Sequence, residues 1–161
     1  MTTKDLTAVD VLRLHSDELV RLWQQNLVSS GGAGVARNGD GELRGQTEEF
    51  LRLVADAAQA GDTDDVQTGA WKPVRAFLTQ LSSDRARSGF TSTQTATFIF
   101  SLKQPLFQVL QREVSDPLAL VGATWEMSEL LDKLGLLTVA AYQLSREDVI
   151  KRQQDEMLEL S

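Results

Sequence analysis

The sequence predicts an all-α protein with a long C-terminal helix. Apolar residues recur at three- and four-residue spacings along most of the 161-residue chain, as they do on the buried side of amphipathic helices. No stretch of four to eight residues alternates between apolar and polar side chains, and no hairpin turn separates two β-branched runs. No further proline follows Pro117, so the chain permits one helix of about 45 residues up to Ser161. We therefore expect roughly five or six helices in an orthogonal or globin-like bundle.

The first predicted helix runs from Thr7 to about Ser29. Thr7 and Ser16 each stand where an N-cap residue would begin a helix, so a break near His15 is one option. The apolar side of this segment consists of Val11, Leu12, Leu14, Leu19, Leu22, Trp23 and Leu27. The glycine-rich segment 29–41 that follows predicts a surface loop. A phosphate-binding glycine loop would follow a strand, whereas this one follows a helix.

The middle of the chain contains two further helix patterns. A second helix is predicted from about Glu42 to Ala60, where a glycine ends it. The acidic turn 62–65 lacks the glycine and the distal glutamate of a calcium-binding EF-hand loop, so we expect a solvated turn there. A third helix is predicted to open near Pro73 and to end before Gly89.

The fourth predicted helix begins after Thr91 and ends near Val114. Thr91 and Gln94 stand at the spacing of a capping box, in which each side chain bonds the backbone of the other residue. Pro105 lies inside this helix and should kink it near Ser101, whose carbonyl loses its helical partner.

The last helix is predicted to begin with Asp116 as its N-cap and Pro117 as its first residue. Its composition changes near Ser145, because the residues before this point carry only four charges and residues 146–161 carry eight. We expect a globular body, residues 1–145, and a charged helical linker that leaves it. The residues of this helix expected to hold the body together are Trp125, Leu130, Leu131 and Leu134.

Composition excludes several classes of function. A net charge of −7 argues against nucleic acid, which requires a basic face. The absence of cysteine excludes disulfides and thiol catalysis and fits a reducing cytoplasm. No signal peptide or apolar membrane span is present. Because His15 is the only histidine and no set of base, nucleophile and metal is recognisable, we expect no enzymatic activity and no cofactor.

Two groups of side chains could form a site. A ligand cavity, for which ordinary helix packing is the simpler alternative, could be lined by Phe98, Phe100, Phe107, Trp125 and Tyr142. Arg85, Arg87 and Lys103 could bind an anion near the start of the fourth helix, although solvated helix-end charges explain them more simply. A histidine-ligated haem is not expected, because His15 lies near the start of the chain.

The last helix carries two overlapping apolar rows from Leu137 onward, which would form a poor static coiled coil. The first row contains Leu137, Leu144 and Leu158 with Lys151 interrupting it, and the second contains Ile150 and Met157. A small rotation of two paired helices would exchange one row for the other. Such an exchange is the bistable behaviour that a signalling element needs.

Two stretches resemble one known family. The segment 81–107 (LSSDRARSGFTSTQTATFIFSLKQPLF) resembles the N-terminal domain of RsbR-type stressosome proteins, most closely over residues 95–107. The ending 145–161 (SREDVIKRQQDEMLELS) is similar to the linker that, in that family, runs into a STAS domain. After the pair Gly89 and Phe90, this chain has Thr-Ser-Thr-Gln where family members often carry Ser or Thr and then Pro-x-Glu.

The resemblance implies a non-haem, globin-like sensory domain of a cytoplasmic bacterial protein, which forms a homodimer. It would pass a stress signal down paired C-terminal helices to a STAS domain, which this chain lacks. In that family the STAS domain assembles with a scaffold paralogue and a serine/threonine kinase. A haem- or small-ligand-binding globin-like sensor or carrier is the alternative, and an absorption spectrum would distinguish the two.

Overall fold

The computed structural model of this protein describes residues 6–29 and 39–161, which are largely helical and contain no β-strand. Within these ranges the helices are α1 (Ala8–Leu14), α2 (Ser16–Ser29), α3 (Gly39–Ala60), α4 (Lys72–Arg87), α5 (Ser92–Phe100), α6 (Lys103–Glu113) and α7 (Pro117–Leu160). A single 3₁₀ turn, Gly69–Trp71, precedes α4. The all-α prediction and the long last helix are confirmed. Most of the predicted glycine-rich loop, residues 30–38, lies outside the described residues.

The predicted starts of two helices, α5 and α7, are confirmed by their hydrogen bonds. At α5 the Gln94 amide donates to Thr91 Oγ1 at 3.0 Å, and the Thr91 amide donates to Gln94 Oε1 at 2.9 Å. At α7 the Ala119 amide donates to the Asp116 carboxylate at 2.9 Å. These side chains satisfy backbone amides that have no partner within the first turn of a helix.

The first predicted helix is interrupted at His15, which separates α1 from α2. The His15 amide still donates to the Val11 carbonyl at 3.0 Å, so α1 closes its last turn before the chain changes direction. Because of this break, Leu14 does not continue the apolar side of α2 and is 57% exposed. Two breaks, here and after α5, divide the predicted elements into more helices than expected.

The break between α5 and α6 confirms the kink expected from Pro105. The carbonyl of Ser101 accepts a hydrogen bond from Asn26 Nδ2 at 2.7 Å. The hydroxyl of the same serine accepts from Trp23 Nε1 at 2.8 Å. Two side chains of α2 therefore satisfy the backbone and hydroxyl at the break, which compensates for the helical bond that the proline removes.

The core lies where α7 packs against α4 and α5 and where α2 packs against α3. Its largest fully buried side chains are Trp23, Trp71, Phe50, Leu12, Leu19, Leu51, Leu78, Ile99, Leu102, Leu106, Leu110 and Met127. The expectation that Leu130, Leu131 and Leu134 belong to this core is confirmed, since each is buried.

Trp125 does not belong to the core, and that prediction is wrong. Its side chain is 67% exposed. At 3.6 residues per turn, position 125 lies roughly 150° around the helix from the buried residues 127–142. The helix therefore presents Trp125 to solvent while it buries the leucines that follow.

An ion pair between α2 and α6 joins two elements distant in sequence. Arg112 donates to both carboxylate oxygens of Glu18, with Nη1 at 2.7 Å from Oε2. These hydrogen bonds lower the pKa of the Glu18 carboxyl to about 2 from its ordinary value of 4.5. A depressed carboxyl pKa contributes stability above pH 4.5 that is lost as the pH falls through about 2.

Glu18→Gln should therefore weaken the protein at pH 6 and converge with the unsubstituted protein as the pH approaches 2. The effect should be small, because Arg112 is exposed and Glu18 is only partly buried, so water screens the pair. Urea midpoints at pH 6 and pH 2.5 measure it. Arg112→Gln should also weaken the protein at pH 6, because it removes this contact together with the Arg112 bond to Glu113. A constant difference between Glu18→Gln and the parent at both pH values would contradict the prediction.

Candidate functional site

The helix α7 is the candidate functional element, because its first part belongs to the core and its last part extends away from the helical body. It has 44 residues, and Tyr142 is the last of them to be buried. From Ile150 onward every residue of α7 is exposed. At 1.5 Å per residue, the segment from Tyr142 to Leu160 extends roughly 27 Å. The part of the helix that loses its burial is thus nearly the same as the part, beyond Ser145, in which charged residues become frequent.

A second exposed surface lies on the outer side of α7, opposite the core. We call Leu118, Val121, Trp125 and Leu136 the outer face. Their side chains are between 67% and 83% exposed. Leu118, Val121 and Trp125 follow one another at spacings of three and four, and exposed apolar side chains grouped in this way mark interaction surfaces more often than scattered ones do. Viewed along the helix axis, Ile150 and Met157 lie on the same side of α7 as the outer face.

The predicted relay residues fall into two environments. Leu137 is partly buried and packs against the core, so it cannot exchange partners as freely as the others. The remaining five residues are exposed along the end of the helix: Leu144, Ile150, Lys151, Met157 and Leu158. Their role in a relay stays a prediction.

The five aromatic residues predicted to line a cavity lie in different environments. Phe98 is buried against Trp23, with ring centroids 4.9 Å apart, and Phe107 is half-buried beside the core. Phe100 is 36% exposed and lies over Gly135. Trp125 is exposed on the outer face, away from the described core. Tyr142 is buried, and its hydroxyl donates to the Phe90 carbonyl.

The turn between α4 and α5 is fixed by a Schellman motif. The Phe90 amide donates to the Arg85 carbonyl at 3.0 Å, and the Gly89 amide donates to the Ala86 carbonyl at 3.3 Å. Gly89 has a φ of 86°, a left-handed conformation that glycine adopts without steric cost. The expected stop of the third predicted helix at this glycine is confirmed.

The same turn holds a buried arginine. The guanidinium carbon of Arg85 lies 4.7 Å from the ring centroid of Phe90 and 5.1 Å from that of Phe98. Its Nη2 donates to Gln46 Oε1 at 3.1 Å. Burial lowers the pKa of Arg85, and the negative charge of Glu42 opposes this effect.

Hydrogen bonds connect this turn directly to α7. Phe90 donates its amide to Arg85 and accepts the Tyr142 hydroxyl on its carbonyl. Tyr142 is also the last buried residue before α7 leaves the body. One residue, Phe90, therefore links the buried arginine to the point where the helix becomes exposed.

Two other predicted site residues lie elsewhere. Lys103 pairs with Asp132 of α7 and does not join Arg85 and Arg87, which share one groove. His15 lies at the surface with its two ring nitrogens 3.5 Å from Glu18 and Glu113. Among the described residues, no group of three or more His, Cys, Asp or Glu side chains could hold a metal ion.

The outer face was missed because its residues were counted with the core. The signal was available, since Leu118, Val121 and Trp125 repeat at spacings of three and four on the side of α7 away from Leu130 and Leu134. The contact of Arg85 with Gln46 gave no such signal, because it depends on how α3 crosses α4.

Comparison with family models finds one match, which describes the RsbT co-antagonist protein rsbRD N-terminal domain and covers residues 17–157. The match begins in α2 and ends near the end of α7, so it includes most of the core, the turn at Phe90 and most of the exposed helix. Comparisons with curated proteins and with solved structures find no match. None of the helices in the described ranges offers an apolar run that could cross a lipid bilayer. On the extent of the family match, this chain belongs to the family of the RsbT co-antagonist protein rsbRD N-terminal domain.

Proposed function

We propose that this chain is a non-catalytic sensory module of a stressosome protein in the bacterial cytoplasm. It receives a stress signal in its helical body and transmits it along α7 to a STAS domain. The observation that carries this proposal is the division of α7 into a part buried up to Tyr142 and an exposed part that follows without interruption. A continuous helix moves as one element, so a displacement at its buried end reaches its exposed end.

The partners in this proposal follow from the family. The STAS domain would come from the full-length chain, and through it the protein would contact a stressosome scaffold paralogue and a serine/threonine kinase. Nucleic acid and membrane are not partners, in accord with the net charge of −7 and with the exposed charges of the linker.

The module functions as a homodimer in this proposal, and the outer face of α7 is its interface. A second copy is the natural occupant, because the two-fold pairing of identical helices covers the same apolar residues on both chains. Tryptophan at the centre of such a surface is a frequent hot spot of binding energy. Paired helices would also bring the two rows of the linker, at positions 150, 151, 157 and 158, next to their counterparts.

Trp125→Glu tests the interface. It should weaken dimerisation at least about thirtyfold, which corresponds to about 2 kcal/mol, the threshold of a hot spot. Sedimentation equilibrium over a range of protein concentrations measures this change. The matched control is Leu14→Glu, which places the same charge at an exposed apolar residue of α1 and should leave dimerisation unchanged.

Two results would count against this model. If the unsubstituted chain is a monomer at micromolar concentration, the paired-helix relay is wrong. If it is a dimer that Trp125→Glu leaves intact, the interface lies elsewhere. The row exchange is tested separately in the full-length protein by cross-linking single cysteines at positions 150, 151, 157 and 158. One fixed seam in every signalling state would exclude the exchange.

A further inference from the structure

A groove of about 290 Å³ lies between the start of α3 and the end of α4. It is lined by Glu42, Gln46, Asp84, Arg85, Arg87 and Ser88. This volume is at the lower end of the range for small-molecule sites. The groove differs from an ordinary charged surface because one of its two arginines, Arg85, is only 4% exposed.

Among the described residues, no carboxylate of the groove forms an ion pair with Arg85. Asp84 pairs instead with Arg87 at 3.1 Å, and Glu42 is an exposed side chain whose charge acts on Arg85 without an ion pair. A buried charge without a close partner is unfavourable, since burial removes the water that would otherwise solvate it. Burial also lowers the pKa of Arg85, and a bound anion would oppose that effect.

The guanidinium retains hydrogen-bonding capacity toward the groove. An arginine side chain has five N–H donors, and one bond from Nη2 to Gln46 is the contact that the described side chains supply. The rings of Phe90 and Phe98 lie 4.7 and 5.1 Å from its carbon and hold its position. A planar group held in this way suits the two-pronged binding of a carboxylate or phosphate.

We propose that this groove binds the carboxylate or phosphate group of a small anionic metabolite, with Arg85 as the anchor and Gln46 as its positioning residue. The proposal rests on the proposed sensory function for its biological meaning, because it names the class of ligand that the module would sense. The site adjoins the output helix through Phe90, whose amide donates to the Arg85 backbone carbonyl and whose carbonyl accepts the Tyr142 hydroxyl. Occupation of the groove would thus act on α7 at the point where it leaves the body.

Binding is tested by NMR titration of the isotope-labelled 161-residue chain with inorganic phosphate and, separately, acetate. Ionic strength is held constant with chloride. At least one of the two anions should shift the Arg85 Nε–H and Gln46 side-chain amide signals with a saturable dependence, and the one that does so identifies the preferred group. Linear shifts spread over the surface with both anions would indicate charge screening and would overturn the proposal.

Three variants make the test specific. Arg85→Met should weaken binding at least about tenfold, the value of one charge-assisted hydrogen bond. Glu42→Gln should tighten it, because it removes a negative charge from the groove. Arg52→Met, an exposed arginine elsewhere on α3, should leave it unchanged. If Arg85→Met does not fold, as judged by circular dichroism, the test relies on Glu42→Gln, which changes an exposed residue. Unchanged or weaker anion binding in that variant would overturn the proposed site.

Failure of the site and failure of the relay give different results. Binding is measured on the chain itself and requires neither a dimer nor a STAS domain. Transmission is measured by amide hydrogen exchange of residues 146–160 with and without the bound anion, in the parent and in Tyr142→Phe. If the anion binds without changing the exchange of residues 146–160, the binding site is supported and its coupling to α7 is contradicted. If the anion does not bind, the proposed site is wrong, and the dimeric relay is still tested by its own experiments.

Discussion

Replacing Trp23 by phenylalanine is expected to lower the free energy of unfolding by about 2 to 4 kcal/mol. Trp23 is fully buried, so the smaller ring leaves a cavity. The substitution also removes the indole N–H, which donates to Ser101 Oγ at 2.8 Å and lies 3.2 Å from the Phe98 carbonyl. Both acceptors lie at the break between α5 and α6, where helical hydrogen bonding is already interrupted.

Urea unfolding followed by far-ultraviolet circular dichroism measures this loss at one fixed protein concentration, since dimerisation would add to stability. The matched control is Trp125→Phe, the same chemical change at an exposed position. It should change stability by no more than about 0.5 kcal/mol. A Trp23→Phe variant as stable as the control would show that the network at Ser101 does not support the fold.

Gly135→Ala is expected to destabilise the protein by about 1 to 2 kcal/mol, although alanine is the better helix former. A Cβ at this position would overlap with ring carbons Cε1 and Cζ of Phe100. The ring must move, and it then loses part of its packing between α5 and α7. Phe100 also lies 5.5 Å from the Lys103 ammonium, a contact that the movement would disturb.

A double-mutant cycle with Phe100→Ala isolates this effect. Once the ring is absent, Gly135→Ala should raise stability by up to about 1 kcal/mol through helix propensity alone. The reversal of sign is the specific result, because a general intolerance of α7 to substitution would destabilise both backgrounds. Gly122→Ala is the control within the same helix, where the added Cβ would meet no atom within 4 Å beyond the adjacent residues and the backbone of its own helix. Stabilisation by Gly135→Ala in the unsubstituted background would contradict the proposed clash.

Local chemistry made much of the fold predictable. The caps at Thr91 and Asp116, the stop at Gly89 and the kink before Pro105 each follow from one residue type whose backbone effect is independent of the rest of the chain. The structure has all four. The start of α3 was less predictable, since it lies at Gly39 rather than near Glu42.

The side of α7 that faces the core was not predictable from composition. Trp125 and Leu130 are both large and apolar, and helix α7 has too many apolar residues for one face to hold them all. Which of them are buried depends on where α4 and α5 pack, and that is a tertiary property. The same reason applies to Arg85, because a charged residue near a helix end is normally solvated and becomes buried only through contacts with α3 and α5.

The final turns of α7, beyond residue 145, contact none of the core, yet they need not begin a helix of their own. An isolated helix of this length is marginal in water, because its first turn fixes several residues for a single hydrogen bond. Here the turns that end at Tyr142 already provide that nucleus, and each following residue only extends it. The helical structure of the linker therefore depends on the body. A local loss of helical structure around Tyr142 would unfold the whole extension, and a more stable helix there would lengthen the helical part of the linker.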